Sequence, residues 1–202
     1  MPDDSHRIGS IKGRIASDGF SLRLARQYQT ALLVLGFAGL TWAGARISVP
    51  LPFTPVPGTL QVLPVLLAGA LLGARAGAAS QAIYLLSGVA GLPVFALPGA
   101  GPGYFLGPTG GYLIGFVGAA YVTGSVLAGF RRPGLPRTAL AFLAGGAVIY
   151  ACGLAWLAVY MGDPGAALRA GILPFVLFDL AKIVVAIGIY TGSMRWKART
   201  LL

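Results

Sequence analysis

The sequence predicts an all-α integral membrane protein with six transmembrane helices and both termini on the cytoplasmic side. Three observations carry this. First, 56 % of the 202 residues are hydrophobic, only 10 % are charged, and the mean hydropathy is +0.80, a composition that suits a bilayer rather than a water-solvated domain. Second, the apolar runs are far longer than barrel strands and show no alternation with period two. Of the two architectures that satisfy their own backbone in lipid, this selects helices over a closed barrel. Third, Lys and Arg gather at the ends of these runs, as anchoring at a cytoplasmic face requires.

Taken in order, the first 27 residues are a polar, basic segment. No short apolar core precedes a small-residue cleavage site, so a cleavable signal is not expected. Ile8, Ile11, Ile15, Leu22 and Leu24 alternate with Lys12, Arg14, Arg23 and Arg26. This fits either a segment lying at the membrane surface or an unstructured tail. The membrane domain is expected over 28–196, followed by a short cytoplasmic end at 197–202. Its apolar spans are 30–49, 58–73, 76–92, 110–130, 138–161 and 170–194. The second is short for a core of about 30 Å and contains Pro64, which predicts a kink or tilt. With the N-terminus inside, twelve Lys and Arg fall inside and only Arg46 and Arg169 outside, Lys182 being intramembrane. This asymmetry orients the chain.

The formal net charge of +10 would suggest a nucleic-acid partner in a soluble protein. Here it is accounted for by anchoring, so no nucleic acid is expected. The single cysteine, Cys152, excludes an internal disulfide and a Cys cluster. The single histidine, His6, lies in the N-terminal segment. Neither a metal, a cofactor nor a catalytic constellation is expected, and the chain reads as a non-enzyme. The Lys-Ser/Thr ending of a phosphate-binding P-loop is absent, so this chain carries no ATPase of its own.

Two outer loops follow from the orientation. One is the proline-rich run Val49–Pro57, with Pro52, Phe53 and Pro55. The other runs from Pro93 to Tyr104 and includes Phe95 and Gly99. Proline fixes φ and glycine permits close backbone approach, so such loops are shaped rather than floppy. They can form a lid and pocket wall for a small, partly apolar ligand, or serve as ordinary turns. Gly107-Pro108-Thr109-Gly110-Gly111-Tyr112 opens the fourth span, with Thr109 as a plausible cap. The exposed N–H groups there can hold an anion or a carbonyl. Small-residue ladders (Gly39 and Ala43; Gly69, Gly73 and Gly77; Gly111 and Gly115) let helices approach closely, and one of them can mark a subunit interface in a homo-oligomer.

The most informative feature is the pair Asp179 and Lys182 inside the last apolar run. A charge in hydrocarbon costs about 3 kcal/mol on insertion scales, so it persists only with a partner. The i,i+3 spacing places both on one helix face. They form either a self-neutralising strut or a polar ligand site. Counted from Ala170, Asp179 lies ~13 Å and Lys182 ~18 Å into the helix, which places the pair near the midplane beneath the outer loops.

Thr59-Leu60-Gln61, Gly91-Leu92-Pro93-Val94-Phe95, the block Tyr104-Phe105-Leu106-Gly107-Pro108-Thr109-Gly110-Gly111-Tyr112 and Asp179-Leu180-Ala181-Lys182 together resemble the BioY family. Its members are the biotin-binding membrane subunits, or S components, of energy-coupling-factor vitamin transporters. The resemblance covers about residues 30–195. It implies a six-helix fold in the bacterial cytoplasmic membrane that captures biotin from outside. It also implies a membrane coupling subunit and cytosolic ATPase subunits as partners. Under it, Gln61, Tyr104, Phe105, Gly107, Thr109, Gly110, Tyr112, Asp179 and Lys182 are the expected substrate-binding residues, with Pro52, Phe53, Pro55, Phe95 and Gly99 in lid loops. Some relatives carry a basic residue where Leu113 stands, and the third loop has fewer consecutive glycines than many. Alternatives are an S component for another vitamin, a biotin transporter working alone or as a homo-oligomer, a small membrane enzyme, and a purely structural subunit.

Overall fold

The computed structural model describes residues 4–130 and 133–200, with side chains described over 24–130 and 133–196. The chain divides into two units, residues 1–33 and 34–202. Helix α1 (Asp4–Arg46) begins in the first, where the Thr30 hydroxyl donates to the Arg26 carbonyl at 2.9 Å. The backbone of the N-terminal segment is thus helical from Asp4, and the side chains of residues 1–23 lie outside the described ones. The remainder of α1 and all later elements belong to the second unit.

Arg46 ends α1 with two contacts: its guanidinium donates to the Pro93 carbonyl at 2.7 Å and lies over the Trp42 ring. The proline-rich run then forms the loop of a small antiparallel ribbon. Its strands are β1 (Ser48–Val49) and β2 (Gly58–Thr59), paired Ser48 to Thr59 and Val49 to Gly58. The ladder stops at Pro50 because proline has no N–H to donate. The loop is tied down by Thr54, whose hydroxyl donates to the Ala170 carbonyl at 2.7 Å.

The second apolar run is helical only over α2 (Val62–Leu72), because its first residues belong to the ribbon. Pro64 lies in the first turn of α2, where a missing N–H leaves no intrahelical bond unmade, and so the expected kink is not required. Gly73 separates α2 from α3 (Ala74–Val89) with φ 85°, a left-handed conformation that suits glycine. The two helices pack closely: a Cβ on Gly77 would sit 2.7 Å from the Gly69 Cα, and one on Gly69 would collide with the Ala120 carbonyl.

A short 3₁₀ turn (Pro102–Leu106) leads into α4 (Gly110–Leu127), which packs along α5 (Leu135–Met161). A Cβ on Gly111 would meet the Cys152 carbonyl, and one on Gly115 would lie 3.1 Å from the Ile149 Cα. The glycine ladder of α4 is therefore spent on contact with α5. Leu66, Val65, Ala119, Ala120, Phe142 and Leu157 form the buried centre where α2, α4 and α5 meet.

The last apolar run is interrupted. Helix α6 (Pro164–Gly171) is capped by Asp163, whose carboxylate accepts from the Gly165 and Ala166 N–H groups at 2.7 and 3.1 Å. A turn follows, and α7 (Val176–Thr200) begins six residues later than the sequence suggests. Outward on α7 lie Leu177, Val184, Val185 and Ile189, large and exposed, as a lipid-facing surface requires. Among the described residues, α4, α5 and α7 (over Val176–Trp196) are long and apolar enough to cross a membrane, and α2 is a shorter apolar helix.

Overpacking costs about 1–3 kcal/mol or more. Gly69→Val is expected to lower thermal stability in detergent accordingly. Gly39→Ala, in the interior of α1 where a Cβ meets nothing within 4 Å, is expected not to lower the melting temperature. Equal melting of the two variants would contradict this packing.

Candidate functional site

One cavity of the second unit brings Gln61, Tyr150, Asp179 and Lys182 together. It has an empty volume of about 600 Å³, its open mouth included. Val56, Pro57 and Thr59 of the ribbon lie on one side, with Gln61 and Val62 at the start of α2. Tyr112, Leu113 and Phe116 come from the start of α4, Ile149 and Tyr150 from the middle of α5, and Asp179 and Lys182 from the start of α7. Ala96, Tyr104 and Thr109 of the segment between α3 and α4, with Gly171 and Phe175, complete it. The walls are mostly apolar, with a few convergent polar groups, as in small-molecule sites generally.

Asp179 and Lys182 form an ion pair at 2.7 Å. Each also has a second partner. The Tyr150 hydroxyl donates to Asp179 Oδ2 at 2.5 Å, and Lys182 donates to the Thr59 carbonyl at 2.6 Å. Charge-assisted bonds of this kind are short and strong. Because α7 starts at Val176, Asp179 stands in its first turn, where the positive end of the helix dipole favours a carboxylate. The expected depth is corrected in the same way: Asp179 is about 4.5 Å and Lys182 about 9 Å beyond the helix start. The pair thus joins the N-terminal end of α7 to the end of the ribbon.

Six of the nine expected binding residues line this cavity: Gln61, Tyr104, Thr109, Tyr112, Asp179 and Lys182. Gln61 is buried and donates through Nε2 to the Tyr84 hydroxyl at 2.7 Å. Tyr112 donates to the Gly171 carbonyl at 2.9 Å, joining α4 to the end of α6. Tyr104 donates to the Ala96 carbonyl at 3.1 Å. Burial pushes its phenol above the ordinary tyrosine range, with the Thr109 side chain acting in the opposite direction, so it stays a neutral donor.

Phe105, Gly107 and Gly110 are not on the cavity wall, and the reason is packing. Phe105 is edge-on to Phe95. The Gly107 carbonyl accepts from the Trp156 indole at 2.8 Å. The N–H groups of Gly107 and Gly110 donate to the carbonyls of Tyr104 and Gly107, so these two expected anion donors are already committed. Thr109 precedes α4 but makes no side-chain capping bond.

The expected lid residues also lie elsewhere. Pro52, Phe53 and Pro55 are exposed on the ribbon loop, while the adjacent Val56 and Pro57 face the cavity. Phe95 is fully buried, stacked on Tyr104 at 4.8 Å and edge-on to Tyr84 at 5.7 Å. It fits only because position 88 is glycine, since a Cβ there would overlap its ring. Gly99 gives the same relief to the Tyr104 ring. The segment between α3 and α4 is thus tightly packed, and Ala96, Tyr104 and Thr109 of it reach the cavity.

Tyr150 is the residue that sequence reasoning missed. It lies in the middle of an apolar helix with no neighbouring polar residue to mark it. The one available signal was that a membrane-embedded Asp needs donors beyond a single lysine.

The BioY family model matches residues 17–199. The biotin transporter BioY of Thermotoga maritima is 43% identical over 150 residues, 74% of this chain and 86% of that protein. The biotin transporter BioY of Rhodobacter capsulatus is 40% identical over 161 residues, 74% of this chain and 84% of that protein. Among solved structures, the S component for biotin from an ECF-type ABC transporter, seen in a crystal structure at 2.1 Å, superposes with a TM-score of 0.79 at 24% identity. That alignment covers 85% of this chain and 93% of the other, and shows a common fold. With a family model spanning nearly the whole chain and relatives at about 40% identity aligned over most of their length, the chain belongs to the BioY family.

Proposed function

We propose that this membrane protein captures biotin from outside the cell as the substrate-binding subunit of an energy-coupling-factor transporter. The observation that carries the reading is the cavity containing the Asp179–Lys182 pair, in a chain of a family whose named members are biotin transporters, not enzymes. Biotin has a ureido ring with two N–H donors and a carbonyl, an apolar thioether ring and a carboxylate. Asp179 accepts a ureido N–H, and Lys182 reaches the ligand's carbonyl or carboxylate while remaining near Asp179. Tyr104 and Tyr112, with Phe116 and Phe175, wall the apolar ring.

The finer topology belongs to the same proposal. Six spans are supported by the six apolar runs, both termini on the cytoplasmic side by the twelve-to-two asymmetry of Lys and Arg, and a bacterial cytoplasmic membrane by the family. Residues 1–27 and 197–202 are then cytoplasmic, and 28–196 form the membrane domain. The missing P-loop supports uptake driven by partner ATPase subunits through a membrane coupling subunit. Co-purification of those subunits from the native membrane separates this from a homo-oligomer working alone.

Titration of the purified protein with biotin is expected to saturate at one site. Truncating one member of a buried, hydrogen-bonded charge pair costs about 2 kcal/mol or more, so Lys182→Ala is expected to weaken biotin about 30-fold or more. Asp179→Asn is expected to do the same. Binding as tight as wild type in both variants would remove the pair from the site. Tyr150→Phe keeps the ring and removes one donor to Asp179; a loss of about tenfold is expected. Saturation by riboflavin, thiamine or pantothenate in place of biotin would reassign the substrate. For topology, in a Cys152→Ser background, Phe53→Cys is expected to react with an impermeant maleimide on intact cells. Arg75→Cys is expected to react only after permeabilisation.

A further inference from the structure

Behind the cavity wall, Gln61 and Tyr84 form a directed chain of hydrogen bonds. Gln61 Nε2 lies 2.7 Å from the Tyr84 hydroxyl, and that hydroxyl lies 3.1 Å from the Val94 carbonyl. A carbonyl oxygen only accepts, so the single phenolic proton is committed to Val94. The Tyr84 oxygen can then only accept from Gln61. With that proton on Val94, the amide is held with its nitrogen towards Tyr84. The remaining lobe, Oε1, has no donor among the described residues, although Gln61 is 3% exposed and lines the cavity.

The arrangement is also rigid. Tyr84 is 2% exposed and packs edge-on against Phe95, which occupies the space over Gly88. The Val94 carbonyl belongs to the residue just before that phenylalanine. The ring that orients Gln61 and the carbonyl that orients the ring are thus fixed by one packed cluster. Neither Gln61 nor Tyr84 contributes charge, so the device sets direction, not field.

We propose that Tyr84 is a positioning residue that presents the Gln61 carbonyl oxygen to the cavity, so that Gln61 acts there solely as an acceptor and reads an N–H of the ligand. This deepens the biotin reading and rests on it, because the ureido ring is the part of biotin that carries N–H groups. Asp179 supplies a second acceptor on the cavity wall. A ligand presenting oxygen lone pairs towards Gln61 meets an oxygen that cannot turn away.

The test uses biotin and two analogues, each with one ureido N–H replaced by a ring oxygen, which removes a donor without adding bulk. Wild-type protein is expected to bind biotin and to reject the isomer whose oxygen faces Gln61 by at least about tenfold, as sites built around a substrate N–H do. In Tyr84→Phe the ring and its packing on Phe95 remain, but the Gln61 amide is free to turn. Biotin is expected to weaken about tenfold, and the rejection of that one isomer is expected to shrink by a similar factor. Rejection of the other isomer should be unchanged. Gln61→Met is expected to abolish the isomer-specific rejection by itself, and adding Tyr84→Phe to it should have no further effect. If Tyr84→Phe instead weakens all three ligands equally, or costs as much in the Gln61→Met background, the hydroxyl is merely structural and the assignment falls. Should Tyr84→Phe fail to fold, the isomer pattern of Gln61→Met decides alone, and unchanged rejection of both isomers overturns the proposal. Failure of the wild-type protein to bind biotin overturns the proposed substrate and this assignment with it. Biotin binding without isomer selectivity overturns this assignment only.

Discussion

An ion pair in apolar surroundings holds together only if each charge has more than its partner to answer to. Desolvating two ions can cost more than their mutual attraction returns, and additional hydrogen bonds decide the balance. Here Asp179 has the Tyr150 hydroxyl as well as Lys182, and Lys182 has the Thr59 carbonyl as well as Asp179. Those second partners come from α5 and from the end of the ribbon. Satisfying the pair therefore ties the start of α7 to two other parts of the domain. The cavity lies where those ties converge, so the same interactions that make the charges tolerable also assemble the site.

The rest of the cavity depends on close packing made possible by glycine. Gly111 and Gly115 bring α4 against α5, which places Tyr112 and Tyr150 on a common wall. Gly69 and Gly77 draw α2, α3 and α4 together. Gly88 and Gly99 admit the rings of Phe95 and Tyr104. Without a hydrophobic force between helices in lipid, contacts of this kind carry much of the association. The aromatic cluster is held by the same logic: Phe95 touches Tyr84, Tyr104 and Phe105 at once, so ring packing orders the segment between α3 and α4.

Much of this was legible in the chain. Composition identifies a membrane protein, and the isolated Asp179 and Lys182 point to the site. Gln61, Tyr104, Thr109 and Tyr112, named from a family resemblance, all reach one cavity. Less legible was the division of labour inside the motifs. Gly107 and Gly110 read as open anion donors, yet their N–H groups are used locally. Phe95 reads as a lid residue, yet it is a fully buried wedge. In each case the residue type is right for the region, and its partner lies in another element.

The sequence by itself determined the membrane class, the presence of two opposite charges in the last apolar run, and the glycine and proline positions where the backbone must turn or approach closely. Those are properties of residues and of their immediate neighbours, and local chemistry decides them. Only the tertiary structure decided that the last apolar run breaks before Val176 and puts Asp179 in a first helical turn. It alone decided that Tyr150 and Thr59 complete the ion pair, and that the Gln61 amide meets the Tyr84 hydroxyl. The physical reason is separation along the chain: Thr59 and Lys182 are 123 residues apart. Periodicity and motif spacing carry no information about which distant group will answer a buried charge until the helices have packed.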